Sequence, residues 1–244
     1  MNFLTAKWNN IIMANYEISP KILQPFIPSG TELDFFHGRT YVSLVGFMFL
    51  DTKIFGIPTS RLGDFEEINL RFYVTRRIEN EIRRGVVFIN ETVPFKPVAW
   101  LANKLYKEHY TSVPTRHEWQ FTEDKKLIDY NWKIASFWNH LKVNAGASSN
   151  PMSVGGMEEF IFEHYWGYSG GKDRHTTEYE VSHERWQVNP VESYSIACDF
   201  DAMYGKDFEI LSHQNPESVI FTEGSPISVK WKRNRVPSLI TSSF

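Results

Sequence analysis

Glu67, Asn69, Arg71 and Tyr73 fall on one face of the segment FEEINLRFYV, at the period of two that an extended strand imposes. A carboxyl, an amide, a guanidinium and a phenol in a row could bind a carboxylate and move a proton. Ile68, Leu70, Phe72 and Val74 fall on the opposite face, which is wholly apolar. The polar face is either an exposed sheet surface, where alternating charge is common, or the lining of an interior. Inside, Glu and Arg would have to pair with each other or with a ligand. The apolar opposite face and an adjacent segment apolar on both faces, residues 40–50 (TYVSLVGFMFL), favour a sheet covered twice.

A second group lies late in the chain: Glu163, His164 and Tyr165, then His183 and Trp186 in VSHERW. Glu and His carry acid–base chemistry when burial or neighbours move their pKa values. A histidine beside aromatics can equally be a satisfied structural residue, so both readings stay open. The phosphate-loop, GxGxxG, HExxH and GxSxG patterns are absent, and the eight histidines show no tight metal-ligand spacing. No cofactor and no metal are expected.

The elements that must hold these residues are mainly strands. Aromatics make up 16% of the chain, which favours strands and wide concave interiors. Ser19-Pro20 reads as an N-cap and first helical position, in a helix kept short by Pro25 and Pro28. The charged run TRRIENEIRR reads as a turn between FEEINLRFYV and GVVFIN, forming a long hairpin. Its four arginines, Arg76, Arg77, Arg83 and Arg84, read as a solvated tip, with an anion-binding patch as the alternative. Pro97 starts a helix whose Val98, Leu101, Ala102 and Leu105 form one buried stripe, and a second helix is read over 153–164. Strands are read over 117–121, 130–138, 140–144, 165–168, 178–182, 208–211 and 227–232, with a Gly170-Gly171 turn. The expected fold class is mainly β (β-rich α+β): a barrel or sandwich with two or three helices, as one domain over 1–244.

Composition narrows the function. A net charge of −3 argues against nucleic acid as a partner. Cys198, the single cysteine, sits in the apolar run SIACDF beside acids rather than bases, and reads as a buried, inert thiol. MNFLTAKWNN has neither the basic start nor the apolar core of a signal peptide, and no apolar run approaches the roughly 20 residues of a membrane span. The expected protein is cytoplasmic, with no membrane partner. Self-association as a homo-oligomer is left open.

WNNIIMANYEISPKILQPFIPSGTELD, YVSLVGFMF, FEEINLRFYV, GVVFIN, ANKLYKEHY, FIFEHYW and VSHERW together resemble the YqjF-like bacterial proteins of unknown function, distant relatives of acetoacetate decarboxylase. The resemblance covers most of the chain. It implies curved antiparallel sheets forming a barrel-like cone around a central cavity. The decarboxylases work through a lysine that forms a Schiff base with a keto acid. Laying their gly-arg-glu…pro-lys segment on residues 102–110 places Asn103 at their arginine, His109 at their proline and Tyr110 at their lysine. Their early arginine falls at Ala14, and their pocket glutamate is matched by Glu67. A phenol cannot form an imine, so decarboxylation by that route is not expected, whereas the cavity is.

The leading expectation is therefore a small-molecule-binding protein, and an enzyme only if the site proves catalytic. Glu67 would be the acid or base, Tyr110 an oxyanion donor and Arg71 a carboxylate anchor, with Asn69, Tyr73, Glu163 and His183 contacting the ligand. A non-catalytic sensor or accessory protein is the alternative, and it should fill its interior with apolar side chains. A third reading, Schiff-base chemistry at Lys104 or Lys107, needs a buried lysine near Glu67.

Overall fold

The computed structural model describes residues 2–106, 108–170, 175–230 and 234–236. The chain opens with a long strand, β1 (Asn2–Ile18), and a one-turn helix, α1 (Pro20–Leu23), whose N-cap Ser19 accepts from the Lys21 N–H. A short β2 (Glu32–Leu33) leads to β3 (Thr40–Ile54), the small β4 (Ile57–Pro58), and the hairpin of β5 (Phe65–Ile78) and β6 (Glu81–Val93). Helix α2 (Lys96–Tyr106) is followed by β7 (Tyr110–Ser112), β8 (Thr115–Phe121), β9 (Lys125–Ile134), β10 (Phe137–Gly146) and β11 (Asn150–Pro151). Then come α3 (Met157–Phe162), β12 (Trp166–Gly170), β13 (Thr176–His183), β14 (Gln187–Val188) and β15 (Val191–Ala197). Helix α4 (Phe200–Tyr204), a 3-10 helix (Lys206–His213), β16 (Ser218–Lys230) and β17 (Asn234–Val236) complete the order.

The pairings of the large sheet run in a closed circuit, β5–β3–β1–β16–β13–β12–β6 and back to β5, with β6 and β12 parallel. A second, antiparallel sheet of order β15-β10-β9-β8 packs on the outside of this curved sheet. Two cores result. Between the sheets, Ile68, Leu70 and Phe72 of β5 pack with Tyr130, Trp132 and Leu141. On the inner side, Met13, Val45, Phe47 and Phe65 belong to a separate cluster. Strand β5 is thus buried on both faces, apolar outward and polar inward.

Bulges decide which residues of β1 and β6 face inward. In β1 the pairing with β3 slips between Asn9 and Ile12, where Asn10 has a φ of 51°. One extra residue reverses the alternation, so Trp8 before it and Ile11 and Met13 after it all line the interior. The Tyr130 hydroxyl fixes this kink by donating to the Asn10 carbonyl at 2.9 Å. In β6, Leu70 opposes Asn90 while Arg71 opposes Phe88, so Ile89 is the extra residue. Val86 and Phe88 face inward before it, and Glu91 after it.

Several expectations are corrected. The charged run is strand rather than turn: β5 and β6 extend to Ile78 and Glu81, and Glu79 with a φ of 50° makes the reversal. Three of its arginines are engaged rather than solvated. Arg76 and Arg83 pair with the buried Glu178, and Arg84 donates to Asp34 at 2.7 Å. The helix over 153–164 begins only at Met157, after Gly155 at a φ of 70°, and ends before His164. The break between the strands 130–138 and 140–144 falls instead at Ala135-Ser136, where Ala135 has a φ of 51°. Residues 208–211 are 3-10 helix rather than strand, with Phe208 and Leu211 turned to the core at a spacing of three. Strands β1 and β15 were not foreseen. Gly171 and positions 231–232 lie outside the described residues. Among the described residues, no helix is long and apolar enough to cross a membrane.

Candidate functional site

The circuit encloses a cavity of about 250 Å³, closed along one side by the Val98, Leu101 and Leu105 stripe of α2. Glu67, Asn69 and Arg71 project into it from β5, Glu91 from the adjacent β6, and Tyr110 from β7, where it stands beside Glu91 in register. Glu108 lies two residues before Tyr110 in the extended approach to β7 and faces the same space. Asn103 of α2 holds this segment in place. Its side-chain oxygen accepts from the Tyr110 N–H at 2.6 Å and its amide donates to the Tyr110 carbonyl at 3.0 Å.

The acids form one hydrogen-bonded group. Glu67, 3% exposed, accepts from Asn69 Nδ2 at 3.0 Å and from Tyr110 Oη at 3.3 Å. Tyr179 donates to Glu108, and Glu91 hydrogen bonds to Glu108. Burial, with the Glu108 charge, pushes Glu67 up to about 8 against the hydrogen bonds of Asn69 and Tyr110 and the Arg71 charge. Burial raises Glu108 to about 7. Burial and the two neighbouring carboxyls hold Glu91 well above the usual range. Burial and the same carboxyls raise the Tyr110 phenol as well. Near neutral pH Glu67 and Glu91 are therefore largely protonated and Glu108 about half so, which makes the floor mainly a set of donors.

Arg71 supplies the positive charge. It is buried, its Nη2 reaches only the weak acceptor Met13 Sδ at 3.4 Å, and its Nε has no partner. Among the described residues no carboxylate pairs with it. His164 lies in the same wall with its side chain 1% exposed, and its Nε2 is 3.1 Å from Asp34 Oδ2. Burial and the Arg84 and Arg71 charges lower its pKa to about 4, outweighing the Asp34 hydrogen bond. The neutral ring thus carries its proton on Nε2 toward the carboxylate, and the unpartnered Nδ1 is a hydrogen-bond acceptor. His183 also lines the cavity, stacked on Trp186 at 4.1 Å with Nδ1 on the Glu184 carbonyl.

Two of the residues named from sequence lie elsewhere. Tyr73 continues the polar face of β5 past the end of the cavity, where its hydroxyl meets Ser43 and its ring packs on Phe160. Glu163 points away, accepting from Tyr165 Oη at 3.0 Å with Arg185 alongside. Lys104 sits over the ring of the exposed Trp100, 4.9 Å from its centre, and is no part of the lining. Lys107 lies outside the described residues. Sequence reasoning missed Glu91, hidden by the β6 bulge, and Glu108, whose spacing of two from Tyr110 was the available signal. Among the described residues, no three His, Cys, Asp or Glu side chains are grouped to hold a metal ion.

Comparison with solved structures shows the fold. An acetoacetate decarboxylase-like enzyme from Sphingomonas wittichii RW1 superposes with a TM-score of 0.64 at 12% identity, over 98% of this chain and 95% of that one. The enduracididine biosynthesis enzyme MppR, complexed with pyruvate, gives 0.62 at 10% identity, over 98% and 92%. The uncharacterized protein YqjF of Bacillus subtilis (strain 168) is 35% identical over 71 residues, a match spanning 28% of each chain. With residues 5–226 matched to DUF2071, described as an uncharacterized conserved protein, the chain belongs to that family and carries an acetoacetate decarboxylase-like fold.

Proposed function

We propose that the protein binds a small carboxylate or carbonyl compound in this cavity and handles it by acid–base chemistry, without an imine. The observation that carries the reading is Arg71. A buried guanidinium with no carboxylate partner among the described residues faces a phenol, the largely protonated Glu67 and Glu91, and Glu108 raised to about 7, so the floor offers one positive charge and several donors to one anion. Arg71 anchors the carboxylate. Glu67, protonated near neutral pH, gives its proton to a ligand oxygen and recovers it, and Tyr110 donates a hydrogen bond to the same developing charge. Asn69 orients Glu67, and His164 and His183 offer acceptors to a ligand hydroxyl or amine. The pyruvate complex of a structural neighbour supports this choice of ligand class. The unfilled cavity with its buried polar floor counts against the accessory-protein reading, which expects an apolar filling.

Thermal shift with pyruvate, acetoacetate and related carboxylates tests the proposal, since a ligand that binds only the folded state raises the melting temperature. The unsubstituted protein should be stabilised by at least one of them. Arg71→Gln should fold and lose that response. Glu67→Gln, an amide donor in place of a protonated acid, should keep the response and hold it from pH 7 to pH 9. A Glu67→Gln protein whose response falls with pH as the unsubstituted protein's does would remove Glu67 from the site.

A further inference from the structure

We infer that the ligand is an amphiphile: a carboxylate head at the Arg71 floor, carrying an unbranched apolar chain that runs along the cavity toward the β3–β4 hairpin. The inference rests on the head-group reading above and adds the class of compound. Strand register divides the lining into tiers. Ser43 stands opposite Arg71, Val45 opposite Asn69, Phe47 opposite Glu67 and Phe49 opposite Phe65. On the other side of β3, Met13 stands opposite Val45, Trp8 opposite Phe49 and Leu4 opposite Ile54. The charged and amide groups thus occupy the tiers of residues 67–71 and stop there. From Phe65 outward the walls are Phe49, Trp8, Leu4, Ile54 and Leu62.

This stretch contains no charged side chain among the described lining residues, and its polar groups are Trp8 Nε1, the neutral His183 ring beside Trp8, and the Thr52 and Thr59 hydroxyls. The four residue steps from Asn69 to Phe65 alone span about 13 Å. That is already longer than a three- or four-carbon keto acid needs, and the apolar walls continue beyond.

The two ends differ. Past Arg71, the Ser43 hydroxyl is bonded to Asn15 and Tyr73, and Phe160 packs on Tyr73, so the polar end is sealed. At the other end Phe55, Ile57 and Leu62 are exposed. A charged head would lose its hydration in the aromatic tiers with nothing to replace it, whereas the floor replaces it with Arg71 and the protonated acids. Only one orientation is favoured, with head inward and chain outward.

Calorimetric titration with butanoate, hexanoate, octanoate and the matching 1-alkanols, at pH 6.5 and below micelle concentrations, tests this. Each added methylene should tighten carboxylate binding about fourfold, so octanoate should bind about 250-fold more tightly than butanoate. Ile54→Gln, in the outer wall, should reduce the gain per methylene, and Arg71→Gln should weaken every acid by one common factor. Butanoate binding with no gain along the series overturns the chain inference and leaves the head-group reading standing. Alkanols binding as tightly as the acids overturn the head-group reading and the amphiphile with it. Binding by neither series overturns both.

Discussion

Replacing Glu67 by Gln keeps the side-chain shape and removes the proton, so its clearest signature is the pH dependence of stability. Glu67 is buried, and its carboxyl is pushed from 4.5 up to about 8. Between those values the folded protein keeps a proton that the unfolded chain has released, so stability falls as pH rises through the window. His164 and His183, both lowered to about 4, work the other way: the unfolded chain takes up their protons below about 6.5, so they add stability as pH rises from 4 to 6.5. They are saturated above that, and they are present in both proteins. The informative range is therefore pH 6.5 to 8. Over those 1.5 pH units, at about 1.4 kcal/mol each, Glu67 should remove about 2 kcal/mol from the unsubstituted protein that Glu67→Gln retains. Urea unfolding midpoints at half-unit steps measure the difference. Glu91 and Glu108 contribute a slope of the same sign to both curves, so the quantity to read is the divergence. Curves that stay parallel within about 0.5 kcal/mol across this range would refute the buried, protonated Glu67 on which the site depends.

Four further outcomes follow from the same geometry. Leu70→Ala, at a residue with no exposure between the two sheets, should cost about 2–5 kcal/mol in chemical denaturation, and a loss below about 0.5 would show that this face is not core. Gly167→Ala would place a methyl 2.1 Å from the Tyr179 ring, so it should destabilise the fold by about 1–3 kcal/mol and move Tyr179 off Glu108; full stability would contradict the packing. Borohydride with acetoacetate or pyruvate should leave the intact mass unchanged, because Tyr110 rather than an amine reaches Glu67, and a reduced adduct on any lysine would overturn this. Affinity for a carboxylate at the floor should fall about tenfold between pH 7 and pH 9 as Glu67 ionises, and a flat profile would mean that its protonation does not matter.

How much of this could be read from the sequence depended on whether strands kept strict alternation. Residues 65–74 of β5 alternate without an internal insertion, and there the sequence separated the core residues Ile68, Leu70 and Phe72 from the cavity residues Glu67, Asn69 and Arg71. Where a bulge adds a residue the alternation fails. In WNNIIMANY the inward positions are Trp8, Ile11 and Met13, and no period of two connects them, so the central strand of the sheet went unread. Continuing the alternation of Val86 and Phe88 selects Asn90, yet Ile89 is the inserted residue and Glu91 turns in. Asn90 instead donates to the His109 carbonyl at 2.7 Å. Pairing at a distance was equally out of reach. Nothing local to Arg76 and Arg83 indicates that Glu178, about a hundred residues later, will bury its carboxylate between them.

The phenol at position 110 also sets the proton inventory of the cavity. An ammonium at position 110 would have been a counter-charge within reach of Glu67 and would have favoured its ionised form. The Tyr110 phenol, itself raised by burial and by the acids around it, gives hydrogen bonds but no charge. With Arg71 the weakest of the influences lowering Glu67, burial decides, and Glu67 and Glu91 hold their protons at neutral pH. Protonated carboxyls can donate, and a floor of donors around one guanidinium is complementary to an anion rather than to a cation. A phenol rather than an ammonium at position 110 thus leaves the glutamates as hydrogen-bond donors rather than as counter-ions.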